Sequence, residues 1–405
     1  MDILYLNPSF PPEMPMFARG LHQAGARVWA VGDGPREGLP AATQGALSGY
    51  LQVPRLLDED DVERRILAWL GGRCPDKIEC QWEPLVLLAA RLRERLGLPG
   101  LGVHATLGFR DKPEMRARVA AAGLRVPRTL RARGADEARA AAAALGFPLI
   151  LKPVQGAGSA DTFRVDDRSA LDPLLERLRH HAELSVEEFI TGQELTYETL
   201  CIDGAPVYES ISHYRPSALV ARQNEWISPI IQTEKDLDAP HLAGGRALGR
   251  AVLRVLGVQT GFTHMEWFRT DAGEAIFGEI ACRPPGANMV DLMNYTGDID
   301  LYAAWGAAVT RGRAPALQRR PYSAAIVFKR AQGQGRIAGS SGLDAFLRQY
   351  GPHVARLELL PVGAPRRDWT QTFLSDGNIV VRHVDQRKTT EMADAFAATV
   401  ALYAR

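Results

Sequence analysis

The sequence is poor in cysteine and in lysine, and it has no long hydrophobic run. Its four cysteines, Cys74, Cys80, Cys201 and Cys282, form neither a Cys-x-x-Cys pair nor a zinc spacing. This predicts inert reduced thiols and a cytoplasmic location. No apolar stretch reaches the length of a membrane span, and the N-terminus lacks a basic-then-apolar signal peptide. The formal net charge of +1 favours neither a nucleic acid nor an anionic membrane as partner.

Lysine is the rarer basic residue by far: only six of the 48 basic residues are lysines. Two of these six, Lys112 and Lys152, stand in motifs described below. Because arginine is used almost everywhere else, a lysine at both positions indicates a need for a compact point charge rather than a planar guanidinium. The length of 405 residues predicts two to four domains with a substantial core.

The order of predicted elements divides the chain into four parts. Residues 1–110 alternate strands (3–7, 26–32, 77–80) with helices (17–24, 60–70, 83–96), which predicts a parallel α/β sheet covered on both faces. Residues 111–185 and 186–320 carry α+β patterns, and 321–405 form a small α+β unit with strands near 324–329 and 378–384 and a helix near 388–403. Gly32-x-Gly34 lacks the third glycine and the opening helix of a dinucleotide site.

A phosphate-binding loop is predicted at 149–160. An apolar run typical of a buried strand ends on Lys152, and small residues follow at once, including Gly156 and Gly158. An ammonium group and closely approaching backbone N–H groups suit a triphosphate. The order is not that of a Walker motif, in which lysine follows the glycines. A plain glycine-rich hairpin is the alternative for this segment taken alone.

Two strands predicted downstream each carry one glutamate among apolar neighbours. Glu266 and Glu279 flank an Asp271-Ala272-Gly273 turn signal, so the pattern predicts a hairpin. An unpaired buried carboxylate is costly, whereas two carboxylates on adjacent strands suit Mg²⁺. The alternative is that each glutamate pairs with an arginine, with Arg283 as the partner of Glu279.

Taken together, these motifs and their order resemble the ATP-grasp superfamily, over about residues 1–335. The resemblance implies an N-terminal parallel α/β domain, a central two-lobed ATP-grasp domain and a small C-terminal α+β unit. It implies that Mg²⁺, with Mn²⁺ as a substitute, is held by Glu266 and Glu279, and that Arg283, Lys152 and His264 are catalytic. The nucleotide contacts that it implies are Lys112, Lys152, Gln155, Gly156, Gly158, Ser159, Ala160, Glu187, Glu188, Phe189, Ile190 and Glu194. Among these, Glu187 would accept from the adenine amino group and Glu194 would grip the ribose.

One departure from the superfamily pattern concerns the metal site. An asparagine that often stands two residues beyond the second metal glutamate is replaced by Ala281. The coordination of a second Mg²⁺ therefore stays an open question. Asn288 is a weak candidate to compensate.

Thr263-His264-x-Glu266 is similar to the carboxylate–amine ligase group, including L-amino acid ligases and carnosine synthases. His264 would orient Glu266 or a substrate carboxylate, and a core histidine is an equal alternative. Glu83 resembles an acid that reaches the acceptor pocket of this group. Acids are favoured in any first helical turn, however, and we take that as its better explanation. For Arg215, Arg222 and Asn224, a solvated loop and a grip on a substrate carboxylate both stay open.

The resemblance implies an ATP-dependent ligase that joins a small carboxylate, such as an amino acid, to an amine through an acyl phosphate, releasing ADP and phosphate. Its partners would be these small molecules, without nucleic acid or membrane, and dimerisation is common in the group. The alternatives are another ATP-grasp enzyme (a carboxylase or a small-molecule kinase) and a non-catalytic ATP-binding regulator.

Overall fold

The computed structural model describes residues 1–154, 161–370, 372 and 374–405. The chain begins with the predicted parallel sheet, whose strand order is β3-β2-β1-β4. The helices on it end where the sequence predicts, for example at Gly97, which takes the left-handed φ of 66°. The elements of this domain are β1 (Asp2–Leu6), α1 (Met14–Gln23), β2 (Arg27–Gly32), α2 (Ala41–Ala46), β3 (Leu47–Gln52), α3 (Glu59–Leu70), β4 (Lys77–Cys80) and α4 (Val86–Leu96).

A small lobe follows, built on an antiparallel sheet of order β5-β8-β6-β7. Its hydrophobic core contains only residues between Ala132 and Val186 among those that are buried. Two helices lead into the lobe and two cover its sheet. In chain order these elements are α5 (Val103–Leu107), α6 (Lys112–Ala121), β5 (Thr129–Ala132), α7 (Ala135–Leu145), β6 (Leu149–Pro153), β7 (Phe163–Val165), α8 (Arg168–Arg177) and β8 (Leu184–Glu188).

The rest of the chain is organised around one antiparallel sheet of eight strands. The strand order is β13-β12-β9-β10-β11-β14-β18-β17. Strands from before and after residue 320, the predicted boundary, therefore belong to the same sheet. The elements before that point are β9 (Gln193–Ile202), β10 (Ala205–Arg215), α9 (Ala218–Gln223), β11 (Ile230–Thr233), α10 (Ala243–Leu256), β12 (Gly261–Arg269), β13 (Ala275–Ala281), α11 (Met289–Gly297) and α12 (Leu301–Arg311).

We call the part of the chain from β9 to α12 the large lobe. The C-terminal part therefore shares a sheet with the large lobe, and it adds a small sheet of order β15-β19-β16. The helix predicted to reach residue 403 ends at Thr399, because residues 401–404 pair with β16 instead. The elements are β14 (Ser323–Lys329), β15 (Gln332–Gly333), β16 (Ile337–Ser341), α13 (Leu343–Tyr350), β17 (Val354–Leu359), β18 (Gly377–His383), α14 (Gln386–Thr399) and β19 (Ala401–Ala404).

The N-terminal domain and the large lobe are joined by one continuous core. Phe17 of α1 packs edge-on against Phe262 of β12 and Trp305 of α12, with ring centroids 5.9 and 5.2 Å apart. Helices α1 and α12 also touch through their backbones. A Cβ atom built on Gly20 would lie 2.1 Å from the carbonyl oxygen of Tyr302, and one on Gly306 would lie 2.1 Å from that of Gly20. Only glycine permits so close a crossing.

Among the helices of the described residues, none combines the length and apolar character that crossing a bilayer requires.

Candidate active site

The predicted metal hairpin is present, and it brings its two glutamates face to face. Strands β12 and β13 pair antiparallel with Glu266 directly opposite Glu279. The chain reverses at the predicted turn, where the Gly273 N–H donates to the Thr270 carbonyl at 2.9 Å and Gly273 has a φ of 82°. A register shift follows Glu266. The side chains stay about a third exposed, 28% for Glu266 and 37% for Glu279, so both carboxylates open onto a cleft.

Lys112 and Lys152 reach the same cleft from two different elements: Lys112 from helix α6, which packs on the hairpin through Met115 and Val119, and Lys152 from strand β6 of the small lobe. Asp111 caps helix α6 by accepting from the Glu114 N–H at 2.9 Å, which fixes Lys112 in the first turn. The Lys112 Nζ lies 2.5 Å from Glu279 Oε2. Burial alone would lower the pKa of Lys112, but Glu279, Glu266 and Glu187 outweigh it and raise that pKa. Lys112 is therefore firmly cationic.

Lys152 stands near the end of β6 and pairs with Glu187 of β8, the Nζ lying 2.8 Å from Oε2. Burial, helped by the charges of Arg116 and Lys112, lowers the pKa of Lys152 even though Glu187 opposes this shift. The two lysines line one cavity together with Arg116. Three cationic side chains therefore surround this cavity.

Glu187 has both carboxylate oxygens engaged. Oε1 lies 2.7 Å from the Arg116 Nη1 and accepts from the Ser185 hydroxyl at 2.7 Å, while Oε2 faces Lys152. Burial would raise the pKa of Glu187, but Lys152 and Arg116 lower it to about 2. The geometry thus gives Glu187 the task of fixing Lys152. Its predicted contact with an adenine amino group stays a prediction.

The other predicted nucleotide residues follow Glu187 along the chain. The Glu188 carboxylate lies 2.7 Å from Arg125 Nη2, and its contact with a nucleotide stays a prediction. Phe189 lies under the Arg164 guanidinium at 4.3 Å from the ring centroid, and Ile190 is 9% exposed. Glu194 accepts from the Ala218 N–H at 3.0 Å. Burial and the charge of Glu266 raise its pKa to about 8.

The predicted phosphate-covering residues, Gln155, Gly156, Gly158, Ser159 and Ala160, lie outside the described residues. Their contacts with a nucleotide stay predictions.

His264 is held between two carboxylates. Its Nδ1 lies 2.9 Å from Glu198 Oε1 and its Nε2 lies 3.7 Å from Glu266 Oε1. Burial would lower the pKa of His264, but the bonds to Glu198 and Glu266 raise it to about 9. Glu198 itself is fully buried on β9. Glu198 therefore fixes the imidazole ring, and the role of His264 in orienting Glu266 stays a prediction beside that of a core histidine.

Arg283 pairs with Glu83, and the alternative in which it serves Glu279 is wrong. Its Nε and Nη2 lie 2.8 and 2.5 Å from Glu83 Oε2, and Arg110 Nη1 lies 2.5 Å from Glu83 Oε1. These three residues line a cavity together with His264 and Glu279. Glu83 does open a short helix, as the first-turn explanation has it, and its carboxylate also pairs with Arg283 and Arg110. Its reach into an acceptor pocket stays a prediction.

The remaining candidates have partners other than the residues described above. Asn288 donates its backbone N–H to Glu13 Oε1 at 2.8 Å, so it is not placed to replace the asparagine missing at Ala281. Arg215 pairs with Asp394 of α14 at 2.6 Å, and the Arg222 guanidinium donates to the Thr370 carbonyl at 2.8 Å. For Arg215 and Arg222, and for Asn224, whose amide donates to the Val220 carbonyl at 2.8 Å, the carboxylate grip and the solvated loop both stay predictions.

Sequence reasoning missed Arg116 and Glu198, although both leave a periodic signal. Arg116 is four residues after Lys112 on helix α6, so the two share a face. Glu198 is four residues after Glu194 on β9, and alternate strand residues point to one side of a sheet.

The charge on Glu187 should make a measurable contribution to folding. Replacing Glu187 by Gln leaves Lys152 and Arg116 buried without their partner, which should cost about 3–5 kcal/mol in the free energy of unfolding at pH 7. Because the folded pKa of about 2 lies below the unfolded value, this contribution is complete above pH ~4.5 and is lost as pH falls toward 2. Urea unfolding of the wild type and the variant should show a gap between their free energies of unfolding that is smaller at pH 3 than at pH 7. A gap that is independent of pH would contradict the ion-pair explanation.

No model of a known protein family matches the sequence. A search of curated proteins finds the L-arginine-specific L-amino acid ligase of Bacillus subtilis, which is 28% identical over 234 residues. The matched segment covers 56% of this chain and 56% of that protein. The chain thus spans about half the length of this curated relative.

Two solved structures resemble the whole chain. The L-amino acid ligase of Bacillus licheniformis has a TM-score of 0.76 at 19% identity, covering 100% of this chain and 98% of that one. The N5-carboxyaminoimidazole ribonucleotide synthetase of Thermotoga maritima has a TM-score of 0.73 at 15% identity, covering 100% and 99%. The predicted ATP-grasp fold is confirmed, as is the predicted similarity of the chain to ATP-grasp carboxylate–amine ligases.

Proposed function

We propose that this protein is an ATP-dependent carboxylate–amine ligase that forms an amide bond between two small molecules, an amino acid among them. The observation that supports this most directly is that paired carboxylates and cationic side chains meet in one cleft. Glu266 and Glu279 stand opposite each other in register, and Lys112 and Arg283 line the same space. Such a set suits the transfer of a phosphoryl group to a carboxylate, since the transition state carries negative charge spread over several oxygens.

The residues present fit Mg²⁺ and ATP. Two carboxylates offer the hard oxygen ligands that Mg²⁺ prefers, and the ion keeps its remaining positions for water and phosphate. Glu266 and Glu279 would hold it, and Mn²⁺ accepts the same oxygen donors. When bound, the ion neutralises charge on the nucleotide phosphates. Lys152 adds an ammonium group from the small lobe, and Lys112 adds a second one from helix α6 beside Glu279.

The reaction runs in two steps. A carboxylate oxygen of the first substrate attacks the γ-phosphorus in line, the bond to the β–γ bridging oxygen breaks, and ADP leaves. The amine nitrogen of the second substrate then attacks the acyl carbon, phosphate leaves with the carbon–oxygen bond electrons, and the nitrogen loses a proton. The chain's part is mainly to position the reactants and exclude water from the acyl phosphate.

Arg283 and His264 have separate tasks in this scheme. Glu83 fixes the Arg283 guanidinium through two of its nitrogens, so its charge is preorganised beside the reacting carboxylate. His264 is fixed by Glu198 and holds Glu266 in place. Neither residue needs to reorganise as charge develops, which is how such groups lower a barrier.

The test is ADP release with Mg²⁺ and ATP across a panel of amino acids, supplied singly and in pairs, with mass detection of products. Bicarbonate is included as a separate arm. ADP formed only with one pair, together with a product of the condensed mass, supports the ligase and names both substrates. ADP with bicarbonate, or with a single acid and no amide product, would replace the proposal with a carboxylase or a kinase.

A further inference from the structure

Three side chains of metal-ligating types meet in the small lobe, and none of them is among the residues named for the cleft. Asp161, His180 and His181 each offer one ligand atom, and these atoms all lie within 4.8 Å of one another. Within the described ranges, no other group of three His, Cys, Asp or Glu residues meets this condition. Asp161 precedes β7, whereas the two histidines follow the end of α8. The cluster therefore joins two parts of the lobe that are distant in sequence.

The histidines are arranged to expose a lone pair. The His180 Nδ1 lies 3.2 Å from the Arg177 carbonyl oxygen. A carbonyl can only accept, so Nδ1 carries the proton and Nε2 is left with its lone pair. Metal-ligating histidines use this same device, donating their second nitrogen to a carbonyl or carboxylate that fixes the ring.

The carboxylate and the second imidazole are already in contact. His181 Nε2 lies 3.3 Å from Asp161 Oδ2, and the two imidazole ring centroids are 4.0 Å apart. The 3.3 Å between His181 Nε2 and Asp161 Oδ2 is a separation expected for two ligand atoms around an ion whose bonds are about 2.0–2.2 Å long. The side chains of Asp161 and His181 are 39% and 25% exposed, so the cluster is open to an ion from solvent.

We propose that Asp161, His180 and His181 form a binding site for a late first-row divalent cation, with zinc as the ion that fits best. Two imidazoles and one carboxylate are borderline donors that suit Zn²⁺, Ni²⁺ or Co²⁺ rather than Mg²⁺, which prefers oxygen ligands only. The site is thus chemically distinct from the paired carboxylates of Glu266 and Glu279. Three protein ligands leave a fourth position for water.

The position of the site in the chain gives it a consequence for the lobe. Asp161 directly follows residues 155–160, the segment predicted to cover the nucleotide phosphates. An ion held at the site ties Asp161 to the chain after α8.

The experiment is zinc binding by the full-length protein, measured by equilibrium dialysis with excess Mg²⁺ and without nucleotide. All variants carry Cys74→Ser, because the Cys74 thiol is exposed and would bind zinc by itself. We expect one zinc ion per chain, loss of that ion in His181→Ala, and affinity weakened by about tenfold or more in Asp161→Asn. Zinc should also raise the unfolding temperature of the parent but not of His181→Ala.

The matched control is His353→Ala. The His353 and His383 rings form another close pair, with centroids 4.8 Å apart, so this variant removes one histidine of a pair without touching the proposed site. It should bind one zinc ion with the parent's affinity. If His181→Ala does not fold, Asp161→Asn, which keeps the side chain's shape, carries the test. No zinc bound by the parent, or equal binding by parent and Asp161→Asn, would overturn the proposal.

Discussion

Replacing Glu279 by Gln should lower the rate of ADP release by about a thousandfold or more, which corresponds to about 4 kcal/mol in the barrier. The amide keeps the size of the side chain but removes the negative charge. Lys112 and Lys152 hold the pKa of Glu279 at about 2 against the opposing effect of its burial, so the wild-type carboxylate is ionised at any working pH. The variant therefore loses a metal ligand and leaves the Lys112 ammonium, 2.5 Å away, without its partner.

Glu274→Gln is the matched control. Glu274 lies on the turn of the same hairpin, and its side chain is 54% exposed, so losing its charge should leave turnover near the wild-type rate. Both variants are compared by single-turnover ADP release and by their unfolding temperatures. A Glu279→Gln protein that folds normally and turns over at a near-native rate would remove the metal assignment.

Arg283→Lys should lower the rate of ligation by about a hundredfold or more while nucleotide affinity stays unchanged. The guanidinium contacts Glu83 through Nε and Nη2 and donates from Nη1 to the Pro284 carbonyl at 2.8 Å. Lysine keeps the positive charge but has no planar fork, so it cannot make these bonds together. In the proposed function the arginine acts on the reacting carboxylate rather than on the nucleotide, so the loss should fall on kcat.

The measurement separates these quantities by titrating a fluorescent ADP analogue and by following ligation at saturating ATP. Arg133→Lys is the control, because Arg133 is a surface arginine of the small lobe, 77% exposed and paired with Glu183. It should change neither quantity. Equal losses of nucleotide affinity and of rate in Arg283→Lys would mean that Arg283 belongs to the nucleotide site instead.

The parts of the site that are close in sequence were the parts that the sequence predicts well. Glu266 and Glu279 are brought together by a short turn, and the register of a hairpin follows from its turn and from the pattern of its strands. The order of strand, Lys152 and small-residue segment is likewise local. For these residues, identity and spacing carry most of the information.

Ion-pair partners could not be predicted in the same way. Arg283 is 200 residues from Glu83, and the choice of Glu83 over Glu279 depends on how the N-terminal domain packs on the large lobe. The end of the chain shows the same limit. Residues 401–404 follow a helix, and only their pairing with residues 337–341 makes them a strand.

The glycine contact between α1 and α12 determines which parts of the molecule are packed into one unit. The backbones at Gly20 and Gly306 touch, and Phe17 packs into the same core. The N-terminal domain and the hairpin strand β12 therefore form one packed unit. That unit carries Glu83, Arg283, Glu266 and Glu279 together. The small lobe has a core of its own and brings Lys152. Any change in the width of the cleft that leaves these cores intact would therefore move Lys152 relative to the other four side chains, while those four keep their places relative to one another.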